Sequence, residues 1–511
     1  MRIAIISPYQ TVNPHFEAEL EILQRHLDAG DQVMNWSCLG QQSLCDFNMT
    51  GNQAVCESCV SRRAMGLDLL SHHVANRPLM TNRSPFALPA ELSQPIETLE
   101  QLRSLMIDNF DIGYASLSSL VSWLRDPAPD LRLHQPRLQE IIANSWAVYQ
   151  ATLQKLENEK PDRVYVFNGR FAVVRAVLRA TQRMSVDCFI HERGSTHGRF
   201  QLYKNRLPHD IDYILSRMNQ FWDQAEPETR MAAGNQWFVD RRNRIERGWK
   251  SFVREQQADR LPADWSNAHH NVVLFCSSED EFAAIGDSWD KRPYPSQLAG
   301  LKHLLLLLQN PQAKLTVRLH PNLKTAPRSL YEPFLNLVDS RLSVITPESP
   351  IDSYALLEHA DTCVTFGSSV GVEAIYYQKP SILLGPCFYQ DLVGTYQPLR
   401  DFVGDASTLS HQHPAVLELA KRLNQPQDSM PIDGALRYGF WMQEHGIDYQ
   451  YYQGTAFNEG TFAGQAVYPK PKPKSFKGKW RQFWSGKKPQ QTQEEPADPI
   501  QGKSVSLFEL G

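Results

Sequence analysis

The sequence has neither a long hydrophobic run nor an excess of charge of one sign. Its 511 residues contain no apolar stretch near the ~20 residues of a membrane span; the leucine run at 304–308 has only five. The formal net charge is −4, so there is no general basic field for nucleic acid. The apolar run at residues 3–6 is too short for a signal peptide and predicts a buried strand. We therefore expect a cytoplasmic, globular protein of two or three domains.

The order of apolar segments predicts an α/β protein in which strands and helices alternate. Residues 1–38 have the pattern of a strand, a helix and a second strand, and residues 271 to about 430 repeat the alternation. We expect two Rossmann-like domains, each with a doubly wound parallel sheet. The predicted boundaries are 1–260 with a cysteine-rich insertion at 38–59, 261–433, an aromatic-rich segment at 434–465 that packs back on the first domain, and a mostly disordered tail at 466–511.

The segment from 360 to 386 predicts a strand, a tight turn, a helix and a second strand. The turn is Gly367-Ser368-Ser369, and a helix is predicted to start at Val370. Free backbone N–H groups and two hydroxyls at a helix start are suited to bind phosphate. The alternative is that one of the serines only caps the helix.

A second motif ends a predicted strand with a cation and an imidazole. Arg318 and His320 alternate along that strand and therefore lie on one face, and Pro321 ends the strand. The carboxyl end of a parallel strand is where open α/β sheets bind ligands. The alternative is a surface arginine beside a hydrogen-bonded histidine.

A third strand-to-helix turn follows the predicted strand at 271–276. Ser277 and Ser278 are candidate phosphate ligands, and Glu281 is either a site residue or a capping acid. Glu373 lies one helical turn past the paired serines, where it could bond a ribose hydroxyl or simply favour the helix dipole.

Together these motifs resemble the nucleotide-binding half of a two-domain (GT-B type) glycosyltransferase, in particular bacterial capsule and surface polysaccharide biosynthesis proteins. The His-Pro and Ser-Ser motifs are similar to those of bacterial sialyltransferases and Kdo transferases, which use CMP-sugars. The resemblance implies that His320, Pro321, Ser368 and Ser369 contact the donor nucleotide and its phosphate. It also implies two domains facing a cleft and a catalytic centre that needs no metal.

Glycosyl transfer requires a base for the acceptor hydroxyl. The sequence has no Asp/Glu-Asp/Glu-Gly triplet of the kind that carries the base in the sialyltransferases. Glu192 is our first candidate, because it follows a predicted strand at 187–190 and would face the donor phosphates across the cleft. His191 and Glu281 are the other candidate bases, and Glu192 has the alternative of a solvated or salt-bridged loop acid.

The remaining polar groups are candidates for contacts with the departing phosphate or with the acceptor. Arg318 and His320, with the N–H groups after Gly367, could stabilise the departing phosphate. Asn168, Arg170 and Arg193 are candidate acceptor-binding residues, since arginine offers a fixed fork of donors; for Asn168 a plain turn is the alternative.

Four of the eight cysteines fall within 22 residues, as Cys38, Cys45, Cys56 and Cys59. Disulfides are rare in the cytosol, so clustered thiols there suggest a metal. The spacing C-x6-C-x10-C-x2-C leaves structural zinc, an iron–sulfur cluster and unligated thiols open, with zinc as our first expectation.

The chain after residue 466 changes in composition. Residues 470–488 contain eight Lys or Arg and no acid, interleaved with Trp and Phe. This mixture suits an anionic membrane surface, although a disordered, solvated tail has the same composition. It predicts peripheral attachment to the inner face of a membrane.

These observations predict a glycosyltransferase with a CMP- or UDP-linked donor and a surface polysaccharide or lipid-linked acceptor. A sugar-nucleotide epimerase of the same architecture is the second hypothesis, and it would need several acids and a histidine but no acceptor. A scaffold that binds partners through the cysteines and the basic tail is the third.

Overall fold

The computed structural model describes residues 1–81, 86–248, 251–425, 428, 430–456 and 458–467. These residues form two compact units. Unit 1 comprises residues 1–208 together with 446–467, and unit 2 comprises residues 209–445. Each unit contains a mainly parallel sheet with helices, so the predicted α/β class is confirmed.

The strands are, in chain order, β1 (Arg2–Ser7), β2 (Gln32–Ser37), β3 (Asn76–Pro78), β4 (Arg163–Phe167), β5 (Asp187–Arg193), β6 (Arg199–Lys204), β7 (His270–Phe275), β8 (Ala313–Arg318), β9 (Leu342–Ile345), β10 (Thr362–Thr365), β11 (Ser381–Leu383), β12 (Ile447–Asp448), β13 (Tyr452–Ala456) and β14 (Glu459–Phe462).

The α-helices are α1 (His15–Asp28), α2 (Gln53–Leu67), α3 (Leu99–Ser104), α4 (Ile112–Leu124), α5 (Gln135–Glu159), α6 (Ala172–Arg183), α7 (Ile211–Gln224), α8 (Pro227–Arg242), α9 (Glu279–Phe282), α10 (Asp287–Asp290), α11 (Gln297–Leu307), α12 (Glu332–Leu335), α13 (Ser353–His359), α14 (Val370–Tyr376), α15 (Pro414–Asn424) and α16 (Asp433–Glu444).

The sheet of unit 1 has the order β12-β6-β5-β4-β1-β2-β3. Strand β1 is parallel to both β2 and β4, with Ile3 opposite Val33 and Arg163. It is central and covered on both faces, so its apolar run is buried throughout, as is typical of parallel sheets. Strand β6 runs antiparallel to β5 and extends it through residue 193, so Glu192 lies within β5 and not beyond its end as the sequence suggested.

Helix α1 is buried over most of its length, although it carries three glutamates. Glu17, Glu19 and Glu21 are each at most 1% exposed. A buried carboxylate needs hydrogen-bond partners. Glu21 accepts the backbone N–H groups of Gln450 and Tyr451 at 2.7 and 2.8 Å, which ties the C-terminal strands to unit 1.

The sheet of unit 2 is wholly parallel, with the order β11-β10-β7-β8-β9. The chain runs outward from β7 through β8 to β9, then returns to place β10 on the other side of β7. One apolar core includes Leu304 and Val317, and a second includes Val273 and Leu356. The reversal of direction between β7 and β10 creates the point at which open α/β sheets bind ligands.

Helices α8 and α16 pack closely within unit 2 because glycines lie at their contact. A Cβ atom at Gly439 would be 2.5 Å from the Gly234 carbonyl oxygen, and one at Gly234 would be 2.5 Å from that of Leu436. Helices α7 and α8 therefore belong to unit 2, whereas the sequence placed them in a first domain ending at residue 260. The aromatic segment predicted as one piece divides at residue 446: α16 belongs to unit 2, and β12 to β14 belong to unit 1.

In the part of the chain that the structure describes, no helix is long and apolar enough to cross a membrane. The predicted basic segment at 470–488 lies outside the described residues.

Candidate functional site

A pocket of about 830 Å³, counted with its open mouth, lies at the reversal point of the unit 2 sheet. Its walls come from the ends of β7 and β8, the turn after β10, and helices α8, α13 and α14. The lining residues are Arg241, Ser251, Phe252, Val253, Gln256, Phe275, Cys276, Arg318, His320, Pro321, Ser353, Tyr354, Leu357, Ser368, Ser369, Val370 and Glu373.

The turn after β10 depends on a glycine. Gly367 has φ +117°, and a Cβ atom there would be 2.8 Å from the Pro386 carbonyl oxygen. The turn brings Ser368 and Ser369 to the pocket wall, where both are buried. Ser368 Oγ accepts the Val370 N–H at 3.4 Å, whereas Ser369, the N-cap residue of α14, makes no side-chain capping bond.

Arg318 lines the pocket but mainly holds a loop. Its Nη1 donates to the Thr346 carbonyl at 2.5 Å, and its Nη2 donates to the Ser349 carbonyl at 3.3 Å. The buried Nε has no protein hydrogen-bond partner. Burial lowers the pKa of Arg318 to about 10. This arginine therefore supports the pocket wall by holding the 346–349 loop.

The hydrogen bonding of His320 selects its tautomer. Its Nδ1 accepts the backbone N–H of Asn322 at 3.2 Å. A neutral ring in this arrangement therefore carries its proton on Nε2, where it can serve as a donor. The ring also packs edge-on against Phe252, with centroids 4.9 Å apart.

Glu373 is engaged on both of its carboxylate oxygens. Oε1 accepts Arg241 Nε and Nη2 at 3.1 and 3.0 Å, and Oε2 accepts the Tyr354 hydroxyl at 2.5 Å. Arg241 Nη2 also lies 3.4 Å from Ser369 Oγ, beside the turn. A ribose contact by Glu373, which stays a prediction, would have to share the carboxylate with these partners.

Sequence reasoning missed Arg241. It lies at the end of α8, far in sequence from every motif, and its pair Arg241-Arg242 has the pattern of a basic helix end. Only the packing of α8 in unit 2 brings one of the two guanidinium groups to the paired serines.

The third predicted motif supports its surroundings instead of lining this pocket. Asn322 Nδ2 donates to Glu281 Oε1 at 2.6 Å and to Ser278 Oγ at 3.3 Å. Glu281 therefore holds the segment after His320. Ser277 borders a second, smaller cavity with Trp289, and its buried hydroxyl has no protein partner.

Unit 1 places Glu192 among hydrogen-bond donors. Its Oε2 accepts Asn168 Nδ2 at 3.0 Å, its Oε1 accepts the Arg193 N–H at 3.0 Å, and His15 Nδ1 lies 3.6 Å from Oε1. Burial raises the pKa of Glu192 to about 7, although the bonds from Asn168 and Arg193 oppose the shift. Burial, with the nearby charges of Arg193, His191 and Arg62, holds the pKa of His15 well below its usual range.

The neighbouring His191 is fully buried. Its Nε2 lies 3.4 Å from Glu19 Oε1, and Glu19 also accepts the Ser7 hydroxyl. Neither His15 nor Glu19 was singled out from the sequence. Both lie on α1, whose many charged residues are typical of a solvated helix.

The three predicted acceptor-binding residues are all buried: Asn168 is 0%, Arg170 is 2% and Arg193 is 5% exposed. Arg170 Nε donates to Ser118 Oγ at 2.7 Å, and Arg193 Nη2 donates to the Asn13 carbonyl at 3.1 Å. Asn168 adopts φ +57° and orients Glu192. An acceptor role for these residues stays a prediction.

No family model and no curated protein matches the chain. Among solved structures, it is similar to the KpsC β-Kdo 2,4 transferase of Thermosulfurimonas dismutans, with 14% identity, a TM-score of 0.32, and coverage of 55% of this chain and 88% of that one. A UDP-GlcNAc 2-epimerase of Methanocaldococcus jannaschii has 11% identity, a TM-score of 0.27, and coverage of 86% and 98%. The spinosyn rhamnosyltransferase SpnG has 11% identity, a TM-score of 0.28, and coverage of 87% and 97%. Values this low do not identify a substrate or a reaction.

Proposed function

We propose that this chain is a glycosyltransferase that moves a sugar from a CMP- or UDP-linked donor to a surface polysaccharide or a lipid-linked acceptor. The observation that carries the proposal is the pocket of unit 2, where His320, Ser368, Ser369 and Arg241 line one cavity. It lies at the sheet position typical of nucleotide sites. Its polar groups include hydroxyls, two guanidinium groups and an imidazole, which suit a phosphate, and the carboxylate of Glu373 is already paired with Arg241.

The chemistry asked of unit 2 is stabilisation of the leaving group. When the bond between the sugar and the donor phosphate breaks, negative charge increases on the phosphate oxygens. Preorganised donors at those oxygens lower the barrier. The Nε2–H of His320 and the guanidinium of Arg241 would donate hydrogen bonds to these oxygens and stabilise their charge, and Arg318 would keep the wall in place.

The chemistry asked of unit 1 is proton transfer. The acceptor hydroxyl must lose a proton as it attacks the sugar, and a base with a pKa near the working pH is the most effective. Glu192, with a pKa of about 7, suits this role better than an ordinary carboxylate. Asn168 and His15 would hold its oxygens in one orientation.

Nucleotide binding tests the proposal directly. CMP, UDP and their sugar conjugates should raise the melting temperature of the chain, since a ligand at 100 times its Kd adds about 2.7 kcal/mol of stability. Cytidine and uridine, which lack phosphate, serve as controls and should have a smaller effect. If no nucleotide binds, the enzyme proposal fails and the scaffold hypothesis becomes the better one.

A sugar-nucleotide epimerase is the second candidate, and one observation favours it. Unit 1 buries two carboxylates and two histidines together, namely Glu19, Glu192, His15 and His191, which is the kind of acid–base group that an epimerase needs. Incubating the protein with a nucleotide sugar and no acceptor distinguishes the two. Conversion of the sugar while it stays on the nucleotide would identify an epimerase.

The lipid-linked acceptor belongs to the proposal together with residues 470–488. Each Lys or Arg near an anionic surface contributes about 1 kcal/mol, so the eight basic residues of that segment could hold the enzyme on the cytoplasmic face of a membrane. Co-sedimentation of the full chain and a version ending at Val467 with anionic liposomes tests this at low and high salt. Equal binding of the two would remove the membrane role.

A further inference from the structure

The four N-terminal cysteines lie near one another at the carboxyl end of the unit 1 sheet: Cys45 interacts with Cys38 and Cys59, and Cys59 also interacts with Cys38 and Cys56. Cys38 directly follows β2, while Cys56 and Cys59 lie in the first two turns of α2. Cys45 is on the loop between them, and the hydrogen bonds of Asn48 link it to Cys56. The backbone N–H of Asn48 donates to the Cys45 carbonyl at 2.8 Å, and its side-chain amide donates to Cys56 Sγ at 3.2 Å.

Every one of these sulfurs accepts a hydrogen bond from an N–H group. Such N–H donors to sulfur suit metal-bound thiolates, whereas burial raises the pKa of the Cys45 and Cys59 thiols when no metal is bound. The donors are the Gly40 backbone to Cys38 at 3.4 Å, the Phe47 backbone to Cys45, the Asn48 side chain to Cys56 at 3.2 Å, and the Gln10 backbone to Cys59 at 3.3 Å. One contact favours a thiol instead: Cys59 Sγ lies 3.2 Å from the Gln10 side-chain oxygen.

A buried cation accompanies the sulfurs. Arg63 is 0% exposed, and its hydrogen bonds go to neutral acceptors, which are the carbonyls of Cys38 and Ser7 and the side-chain oxygen of Gln10. Its Nε has no protein partner. A buried guanidinium is costly unless an anion compensates its charge. Glu19, which is also buried, is one anion near this guanidinium, and Cys38 and Cys59 lie near enough to add to the compensation when they bind a metal as thiolates.

The sulfurs are not arranged around a single ion. Among the described residues, which include all four cysteines, no group of three or more His, Cys, Asp or Glu could hold one metal ion. Zinc would need the sulfurs within about 4 Å of each other, because Zn–S bonds are ~2.3 Å. An iron–sulfur cubane binds each thiolate to a different iron, and its four sulfurs are therefore farther apart.

We propose that Cys38, Cys45, Cys56 and Cys59 bind a [4Fe–4S] cluster, with Arg63 as its buried counter-charge. Each thiol loses its proton as it binds one iron, and the cluster brings its own sulfide. The cluster would join the end of β2 to α2 and so fix the 38–59 loop. The site is independent of the proposed sugar transfer, and its test requires no substrate.

The metal content of the whole protein is the test. The full chain, purified without oxygen from cells supplied with iron, should contain about four iron and four acid-labile sulfide per chain. It should absorb broadly in the visible range, lose that absorbance in air, and give an electron paramagnetic resonance signal after reduction with dithionite. About one zinc per chain without sulfide, or protein free of both metals, would overturn the proposal.

Variants identify the ligands. Cys45→Ser and Cys56→Ser should each lose most of the iron and the visible absorbance. Cys188→Ser is the matched control, because Cys188 is fully buried on β5 and outside the group. Equal iron in all three variants would overturn the assignment of these cysteines. Circular dichroism of each variant separates loss of iron from loss of fold.

Discussion

The two units place polar groups at the same structural position, the carboxyl end of a parallel sheet, but use them differently. In unit 2, His320 and Ser369 border an open pocket. In unit 1, Glu192 and His191 are both buried among other polar side chains. Glu192 contacts Asn168 and His15, and His191 lies against Glu19. An open set of donors is suited to bind an anion, whereas a closed set of acids and imidazoles is suited to shift a pKa.

The difference shows that position on a sheet does not define a role by itself. Strand ends deliver polar side chains to one edge in both units. Whether they meet solvent depends on what covers that edge. In unit 1 the covering element is α1, with its three buried glutamates. In unit 2 the short helices α13 and α14 leave the pocket open.

The strongest test of this division is Glu192→Gln. If unit 1 supplies the base, turnover should fall by roughly 10²–10⁴-fold while donor affinity stays the same, because only proton transfer is lost. Steady-state kinetics and donor titration measure the two effects. Glu159→Gln, which alters a partly exposed ion pair with Arg77, is the control and should leave turnover unchanged. An unchanged rate in Glu192→Gln would transfer the role to His191.

The same substitution should change how stability depends on pH. Burial raises the pKa of Glu192 from 4.5 to about 7, so the folded state holds a proton that the unfolded state releases between these values. Stability of the parent protein should therefore fall as pH rises from 4.5 to about 7, and then level off. The glutamine variant lacks this penalty, so its advantage should reach on the order of 3 kcal/mol above pH 7. Urea unfolding at pH 5 and pH 8 measures it, and an equal difference at both values would contradict the shift.

His320→Ala tests the binding role of unit 2. Loss of a charge-assisted hydrogen bond should weaken nucleotide binding by about 1.5–3 kcal/mol, or roughly 10- to 150-fold in Kd. Isothermal titration with CMP and UDP gives the value. His411→Ala removes an exposed histidine of the same unit and should bind as the parent does. Matching losses in the two variants would argue against a specific contact.

Arg241→Gln should have a smaller effect that depends on phosphate. Arg241 reaches Ser369 but is shared with Glu373, so we expect a loss of about 1 kcal/mol for CMP and little loss for cytidine. Arg242→Gln is the matched control: the next residue on α8 pairs instead with Glu358 and Asp259. A loss of the same size for cytidine would mean that Arg241 acts only on the structure of the pocket.

The elements of the fold were largely predictable. The predicted strand at 271–276 agrees with β7 to within one residue, and the helix predicted to start at Val370 is α14. Such segments are determined by local periodicity, which the sequence contains directly. The end of β5 was predicted three residues early, because β6 pairs antiparallel with it and carries the ladder through polar residues that look like a loop.

The site was predictable only where a short motif, by itself, determines the position of its side chains. The turn at Gly367 and the strand end at Arg318 and His320 are local, and the structure brings both to one pocket. The role of Arg318 was not local, since its guanidinium is held by carbonyls at Thr346 and Ser349. Contacts between residues this far apart in the sequence leave no local pattern from which they could be predicted.

By itself, the sequence determined the α/β alternation, the phosphate-type turn, the His-Pro strand end and the grouping of four cysteines, because each depends on residues that are near neighbours in the chain. Only the tertiary structure decided that Arg241 joins the paired serines, that His15 and Glu19 share the interior with Glu192 and His191, and that Arg63 lies beside the cysteines. The physical reason is burial. The charge, tautomer and pKa of a buried group depend on neighbours that packing supplies from distant parts of the chain.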